Sequence, residues 1–289
     1  YIGGGTPSAL SDDGIGRLAA IIRRCFSVEG NERTFELNPE DATPARAALL
    51  RSLGYTRLSF GAQSFLAKYL SYLGRRHDAG QARRAFFVLK DAGFDNINVD
   101  LMFGFPGQAM EELDRDIDEV LALGSPHVSI YALGVEPRSV FSVRGEKVSD
   151  EAQADLYRRV CARFAAAGLK QYEVSNFARP GYASAHNLNY WEGGEYLGLG
   201  MGAHSHLGGE RSWNADTFPR YLDMIANGGS AVAGRERLAP AQKMMEVFLF
   251  GLRMNAGVDM DSLQGRFGAA FAPEKIDELE NLVAAGFLC

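Results

Sequence analysis

Several easily read classes are excluded by what this chain lacks. Across 289 residues there are three cysteines, Cys25, Cys161 and Cys289. Their wide separation rules out a small disulfide-stapled domain and offers no metal-ligand spacing. Cys25 follows Leu18, Ile21 and Ile22, and Cys161 sits with Leu156, Val160 and Phe164. Both patterns predict apolar helix faces, and hence buried, reduced thiols in a cytoplasmic protein. Positive charge is also short: 30 lysines and arginines against 36 acids leave a net charge of −6. That balance argues against a general nucleic-acid binder, whose affinity rests on a basic surface. No apolar run reaches about 18 residues, so no membrane-spanning helix is expected, and no signal peptide is visible. What remains is 46% hydrophobic and 23% charged, the makeup of a globular protein able to bury one large core plus a small appendage.

Strand and helix patterns alternate through the first half, as in a parallel sheet with helical crossovers. The chain starts with a strand-like Tyr1-Ile2, then Gly3-Gly4-Gly5, Thr6-Pro7-Ser8 and a helix from about Asp13 to Phe26, with Asp12 or Asp13 as its cap. Strands are expected at 34–38, 57–61, 97–102, 128–133 and 169–174. Helices are expected near 44–53, from Ala79 to Ala92 with Asp78 as cap, and from about Met110 to Leu123 before Gly124. The strands alternate. Phe35 and Leu37 flank Glu36, Leu58 and Phe60 flank Ser59, and Ile97, Val99 and Leu101 interleave with Asn98 and Asp100. A sheet buried on both faces reads as more uniformly apolar. Alternation suits a barrel with helices outside and polar groups inside, where residues at C-terminal strand ends build the site. Glu36, Gln63 and Asp100 occupy such ends, and Glu36 and Asp100 share the inner face.

From Val174 to Leu207 the chain turns rich in Asn, Tyr, His and Gly, which predicts turns and loops. His204 and His206 would share one strand face, a pair that could hold a metal only with a third ligand. After Arg235 a helical pattern returns, with further helices near 261–267 and 273–285. Helix, turn, helix and a last apolar stretch suggest a winged-helix-like module cut off before its wing.

The glycine loop alone is a weak signal, since many folds place such a loop before a helix to hold an anion. Taken together, GGGTPS, FELNPE, RLSFGAQSF, LGRRH and NVDLMFGFPGQ, in that order, resemble the radical S-adenosylmethionine proteins, and among them the oxygen-independent coproporphyrinogen III oxidase family. The further stretch HNLNYW (186–191) resembles the HNxxYW signature of that family's HemW branch, the haem chaperones. The resemblance covers essentially the whole chain. It implies an α/β fold, a partial radical SAM (β/α) barrel over 1–175 with its first strand and cluster loop missing. It also implies an HNxxYW-bearing connecting region over 176–234 and a truncated C-terminal winged-helix-like domain over 235–289.

The resemblance also implies a set of site residues. Gly3, Gly4, Gly5 and Thr6 match the loop that meets the methionine amino group and carboxylate of S-adenosylmethionine. Glu36 and Gln63 match a carboxylate and a polar side chain of the same site, Arg75 a cation for a carboxylate, and Asp100 a ribose-binding acid. Each suits its role chemically, because a guanidinium fork clamps a carboxylate and an acid accepts from a diol. His186, Asn187, Tyr190 and Trp191 match the haem motif, with His186 the candidate iron ligand. The family's three cluster cysteines, spaced C-x3-C-x2-C, would hold a [4Fe–4S] cluster and are expected ahead of residue 1, so the sequence reads as truncated at both ends. Haem, a haem-acceptor protein such as a respiratory-chain component, peripheral membrane contact through that acceptor, and a homodimer are the implied partners. Two rival functions stand beside the chaperone: a coproporphyrinogen III dehydrogenase working through a 5′-deoxyadenosyl radical, and a cluster-free binding module.

Overall fold

Side-chain alternation in the strands sorts the two faces of one sheet. The computed structural model describes residues 1–27, 30, 32–134, 149–268 and 273–286. The chain divides into two units, Tyr1–Ala185 and His186–Cys289. In the first unit β1 (Thr34–Leu37), β2 (Arg57–Gln63), β3 (Asn96–Phe103) and β4 (His127–Ala132) lie parallel in order. Next comes β6 (Asn176–Ala178), antiparallel to β4, and then β5 (Lys170–Glu173), antiparallel to β6 and so running with β1–β4 again. Among the described residues the sheet does not close on itself, and Ile2 adds a parallel bridge to Phe35 beyond β1.

Registers decide which residues meet. Glu36 lies beside Ser59, Ser59 beside Asn98, and Asp100 beside Ser129. That face is polar. On the other, Phe35, Leu37, Leu58, Phe60, Ile97, Val99, Leu101, Val128 and Ile130 join one buried core. Helices α1 (Asp12–Cys25), α2 (Pro44–Ser52), α4 (Ala79–Asp91), α5 (Met110–Leu123) and α6 (Asp150–Ala166) contribute to it, with the short α3 (Ala67–Tyr72) following β2. The stripe of α5, Leu113, Ile117, Val120 and Leu123, follows the helical period and is buried throughout.

Helix ends follow local chemistry. The Asp78 side chain accepts from the Gln81 amide at 2.7 Å, and the Gln81 side chain accepts from the Asp78 amide at 2.8 Å, a complete capping box for α4. Asp78→Ala should lower stability by about 1 kcal/mol, read as a shifted urea midpoint with unchanged slope. For α1 the cap is Ser11, whose hydroxyl accepts from the Gly14 amide at 3.1 Å, and not Asp12 or Asp13. Those two acids occupy the first turn, where the helix dipole favours them.

The thiol expectation also changes. Cys25, at the end of α1, is exposed, because only Ile15 and Ala19 of that helix are buried; Cys161 is half-buried. Among the described residues no helix is long and apolar enough to cross a membrane.

Helix α7 (Ala185–Trp191) starts at the last residue of the first unit, and the second unit contains the rest of it and an antiparallel sheet of β7 (His204–Leu207), β8 (Glu210–Asn214) and β9 (Val232–Arg237). Loops were expected over much of this stretch. β8 and β9 read as polar because their residues are half-buried or exposed on both sides, leaving no alternation to detect. Helices α8 (Phe218–Gly228), α9 (Pro240–Gly251), α10 (Met260–Phe267) and α11 (Pro273–Ala284) complete the unit. Met244, Phe248 and Leu263 form a small separate core. The expected strand at the C-terminal end lies outside the described residues.

Candidate functional sites

In the first unit the polar sheet face closes one side of a cavity of about 310 Å³, lined by Gly5, Thr6, Glu36, Asn38, Ser59, Gly61, Gln63, Arg75, Asp100 and Tyr131 among others. Six of the eight residues assigned to S-adenosylmethionine in the sequence therefore meet there. Gly3 and Gly4 do not line the cavity. A Cβ on Gly3 would lie 2.5 Å from the Glu36 carboxyl, and Gly4 has φ +79°, so both positions need glycine to seat the loop. The Tyr1 hydroxyl donates to Glu36 Oε1 at 2.6 Å, and the Ile2 amide and carbonyl pair with Thr34 and Glu36. These bonds tie the glycine loop to the carboxylate opposite.

Asp100 is set by its neighbours. Asn98 Nδ2 donates to Asp100 Oδ1 at 2.7 Å and to Ser59 Oγ at 2.8 Å. Desolvation pushes the Asp100 carboxyl up to about 6; Glu36 adds to the rise, while the Asn98 hydrogen bond and the Arg57 charge oppose it. Arg75 reaches Asn38 Oδ1 at 3.4 Å, whereas the adjacent Arg76 turns away to Glu40 at 3.3 Å. The arginine pair in LGRRH is thus split between cavity and surface.

Gln63 has a feature the sequence did not signal. Its φ is +65°, and among the described residues no other non-glycine has positive φ. It ends β2 at an irregularity in the pairing with β3, between Phe60 and Gln63. The chain just beyond is held by Asp116, fully buried on α5, which accepts from the Ser64 hydroxyl at 2.7 Å and the Phe65 amide at 2.6 Å.

Asn38, Ser59 and Tyr131 were not singled out in the sequence, although Ser59 shows the inner parity. The donor set suits a small zwitterion bearing a nucleoside: two carboxylates, a guanidinium, two amides and a bare glycine edge. The described residues do not supply thiolates for an iron–sulfur cluster. No group of three or more His, Cys, Asp or Glu able to hold a metal occurs among them, so the His204–His206 pair also lacks a third ligand.

In the second unit a larger cavity, about 480 Å³, is walled by Asn187, Tyr190, Trp191, Tyr196 and Phe250, with His206, Arg211, Lys243 and Arg266. Its volume falls within the usual range for small-molecule sites. Tyr190 packs on Tyr196 at 4.4 Å between ring centroids, and Arg253 stacks on Trp191 at 4.5 Å. His186 meets Tyr190 edge-on at 4.8 Å and does not line this cavity, while its motif partners Asn187, Tyr190 and Trp191 do. His204 instead stacks on Trp213.

A carboxylate-and-guanidinium cavity beside a glycine loop, on the polar face of a parallel sheet, is the arrangement expected of a radical SAM type of fold. The sequence model of the Radical SAM superfamily matches residues 1–120, and that of the HemN C-terminal domain matches 238–289. A solved structure of coproporphyrinogen III oxidase (HemN) from Escherichia coli superposes with a TM-score of 0.85 at 22% identity, over 98% of this chain and 69% of that one. It establishes the α/β fold. Two curated relatives, each named heme chaperone HemW, are closer in sequence. The Bacillus subtilis protein is 35% identical over all of this chain and 78% of its own length; the Mycobacterium tuberculosis H37Rv protein is 37% identical over all of this chain and 73% of its own. The chain belongs to the HemW family within the radical SAM superfamily.

Proposed function

We propose that this chain is a haem chaperone: it takes haem into the cavity of its second unit and passes it to an acceptor protein. The observation that carries the reading is the wall of that cavity, where three HNLNYW residues stand among flat aromatic rings and cationic side chains. A porphyrin offers the matching surface, an apolar plane with anionic carboxylates. Membership in a family whose relatives are named heme chaperones supports it.

The first unit, in this reading, binds S-adenosylmethionine. Asp100 accepts from the ribose hydroxyls, Arg75 takes the carboxylate, and Glu36 faces the ammonium across the glycine loop. In radical SAM proteins a [4Fe–4S] cluster chelates that amino acid and supplies radical chemistry; its thiolates are not among the described residues. The acceptor is a respiratory-chain protein met at the membrane surface, and the chaperone works from the cytoplasm and pairs with a second copy.

Hemin titration is the direct test. The chain should bind close to one hemin with a displaced Soret band, and Trp191→Ala should weaken binding by about 1–3 kcal/mol through loss of aromatic contact area. Absence of any hemin binding would sink the reading. Conversion of coproporphyrinogen III over many turnovers by a cluster-loaded preparation would replace it with the oxidase.

A further inference from the structure

We propose that His206, rather than the motif's own His186, ligates the haem iron, and that Lys243 and Arg266 take the haem carboxylates. This rests on the haem-binding reading of the same cavity. His206 lines the cavity wall. Its Nδ1 lies 3.3 Å from the Gly194 carbonyl. A carbonyl can only accept, so Nδ1 carries the proton and Nε2 of the neutral ring keeps its lone pair. That is the arrangement of a ligating imidazole, whose second nitrogen is fixed by a carbonyl or carboxylate. The backbone of His206 is pinned as well, its amide and carbonyl both paired with Tyr196 at 2.9 Å. Coordination needs no bond broken in the protein: the Nε2 lone pair forms the bond to iron, and water leaves the metal.

The charges on the same wall sort into engaged and available. Glu246 is paired with Arg211 at 2.6 Å, and Glu195 accepts from the Gly208 amide at 2.6 Å. Lys243 and Arg266 have no ion-pair partner among the described residues. Lys243 lies over Gly209, whose missing side chain leaves room for the ammonium. Two cations on the wall of an aromatic cavity fit the two carboxylates of a protoporphyrin.

The experiment compares hemin with metal-free protoporphyrin IX on the full chain and on His206→Ala, His206→Gln and His186→Ala. The wild type should show an imidazole-ligated ferric spectrum. His206→Ala and His206→Gln should lose that spectrum and weaken hemin binding by about tenfold or more, equivalent to about 1.4 kcal/mol. Both should hold metal-free protoporphyrin within about twofold of wild type, an affinity change below about 0.4 kcal/mol that also certifies the fold. Added imidazole should restore the spectrum in His206→Ala. His186→Ala should keep the wild-type spectrum, and Lys243→Ala should weaken both porphyrins equally. An unchanged spectrum in both His206 variants, or its loss in His186→Ala alone, overturns the ligand assignment while leaving the haem reading standing. If neither porphyrin binds the wild type, both fail together.

Discussion

Leu101→Ala should destabilise the fold by about 2–5 kcal/mol, the cost of a cavity in a packed core. Asp100→Ala, one residue away, should not lower the melting temperature above about pH 6, where the desolvated carboxylate costs stability, and should instead weaken S-adenosylmethionine or S-adenosylhomocysteine by about 1–3 kcal/mol. The contrast follows from the pleat. Leu101 is fully buried among Ile97, Val99 and Ile130 on the helix-covered face, whereas Asp100 lines the cavity on the other. Denaturant melts and calorimetric titration of both variants read the two effects separately. Exchanged outcomes would mean that the faces of β3 are assigned the wrong way round.

Binding of S-adenosylhomocysteine should strengthen as pH rises through about 6, since the Asp100 carboxyl is pushed up to about 6 by desolvation. Below that point the proton occupies an oxygen needed to accept from the ribose, and affinity should fall by up to about tenfold per pH unit. Stability moves in the opposite sense. Between 3.8, the ordinary value, and about 6 the folded chain keeps a proton that the unfolded chain has released. The contribution of Asp100 to stability therefore declines as pH rises across that window and is level above it. Asp100→Asn should flatten this part of both profiles. Titrations from pH 5 to 8, with circular dichroism to verify the fold, measure it; a wild-type profile that is flat through pH 6 would remove Asp100 from the ligand contact.

The first unit was largely legible because its strands carry their burial in their order. Phe35–Glu36–Leu37 and Ile97 to Leu101 alternate, and the sheet places the apolar members in the core and the polar ones toward the cavity. Helix limits were legible where a cap is written locally, as at Asp78 with Gln81. They slipped at Ser11, where two acids follow the hydroxyl that caps and compete with it in the reading. The second unit was legible in its motif and not in its frame. β8 and β9 bury neither face completely, and α7 spans only Ala185–Trp191, too short to show a period.

For the sites, residue type and motif placed Glu36, Gln63, Arg75 and Asp100 at one cavity. They did not reveal Asn38 and Tyr131, which enter through register and loop geometry. His206 is a similar case. Sequence spacing paired it with His204, but the fold turns one to the cavity and stacks the other on Trp213.

The left-handed backbone at Gln63 has a bearing on how this protein can be improved. A side chain held there costs about 1–2 kcal/mol that glycine would not, while Asp116 anchors the residues just beyond it. Selection for heat resistance alone would therefore favour glycine at this position, whereas under the proposed S-adenosylmethionine reading selection for ligand retention would restore the amide. A library screened under both pressures would be pulled two ways at a single codon, so in the proposed reading the strained torsion is where this fold gives up stability in exchange for recognition.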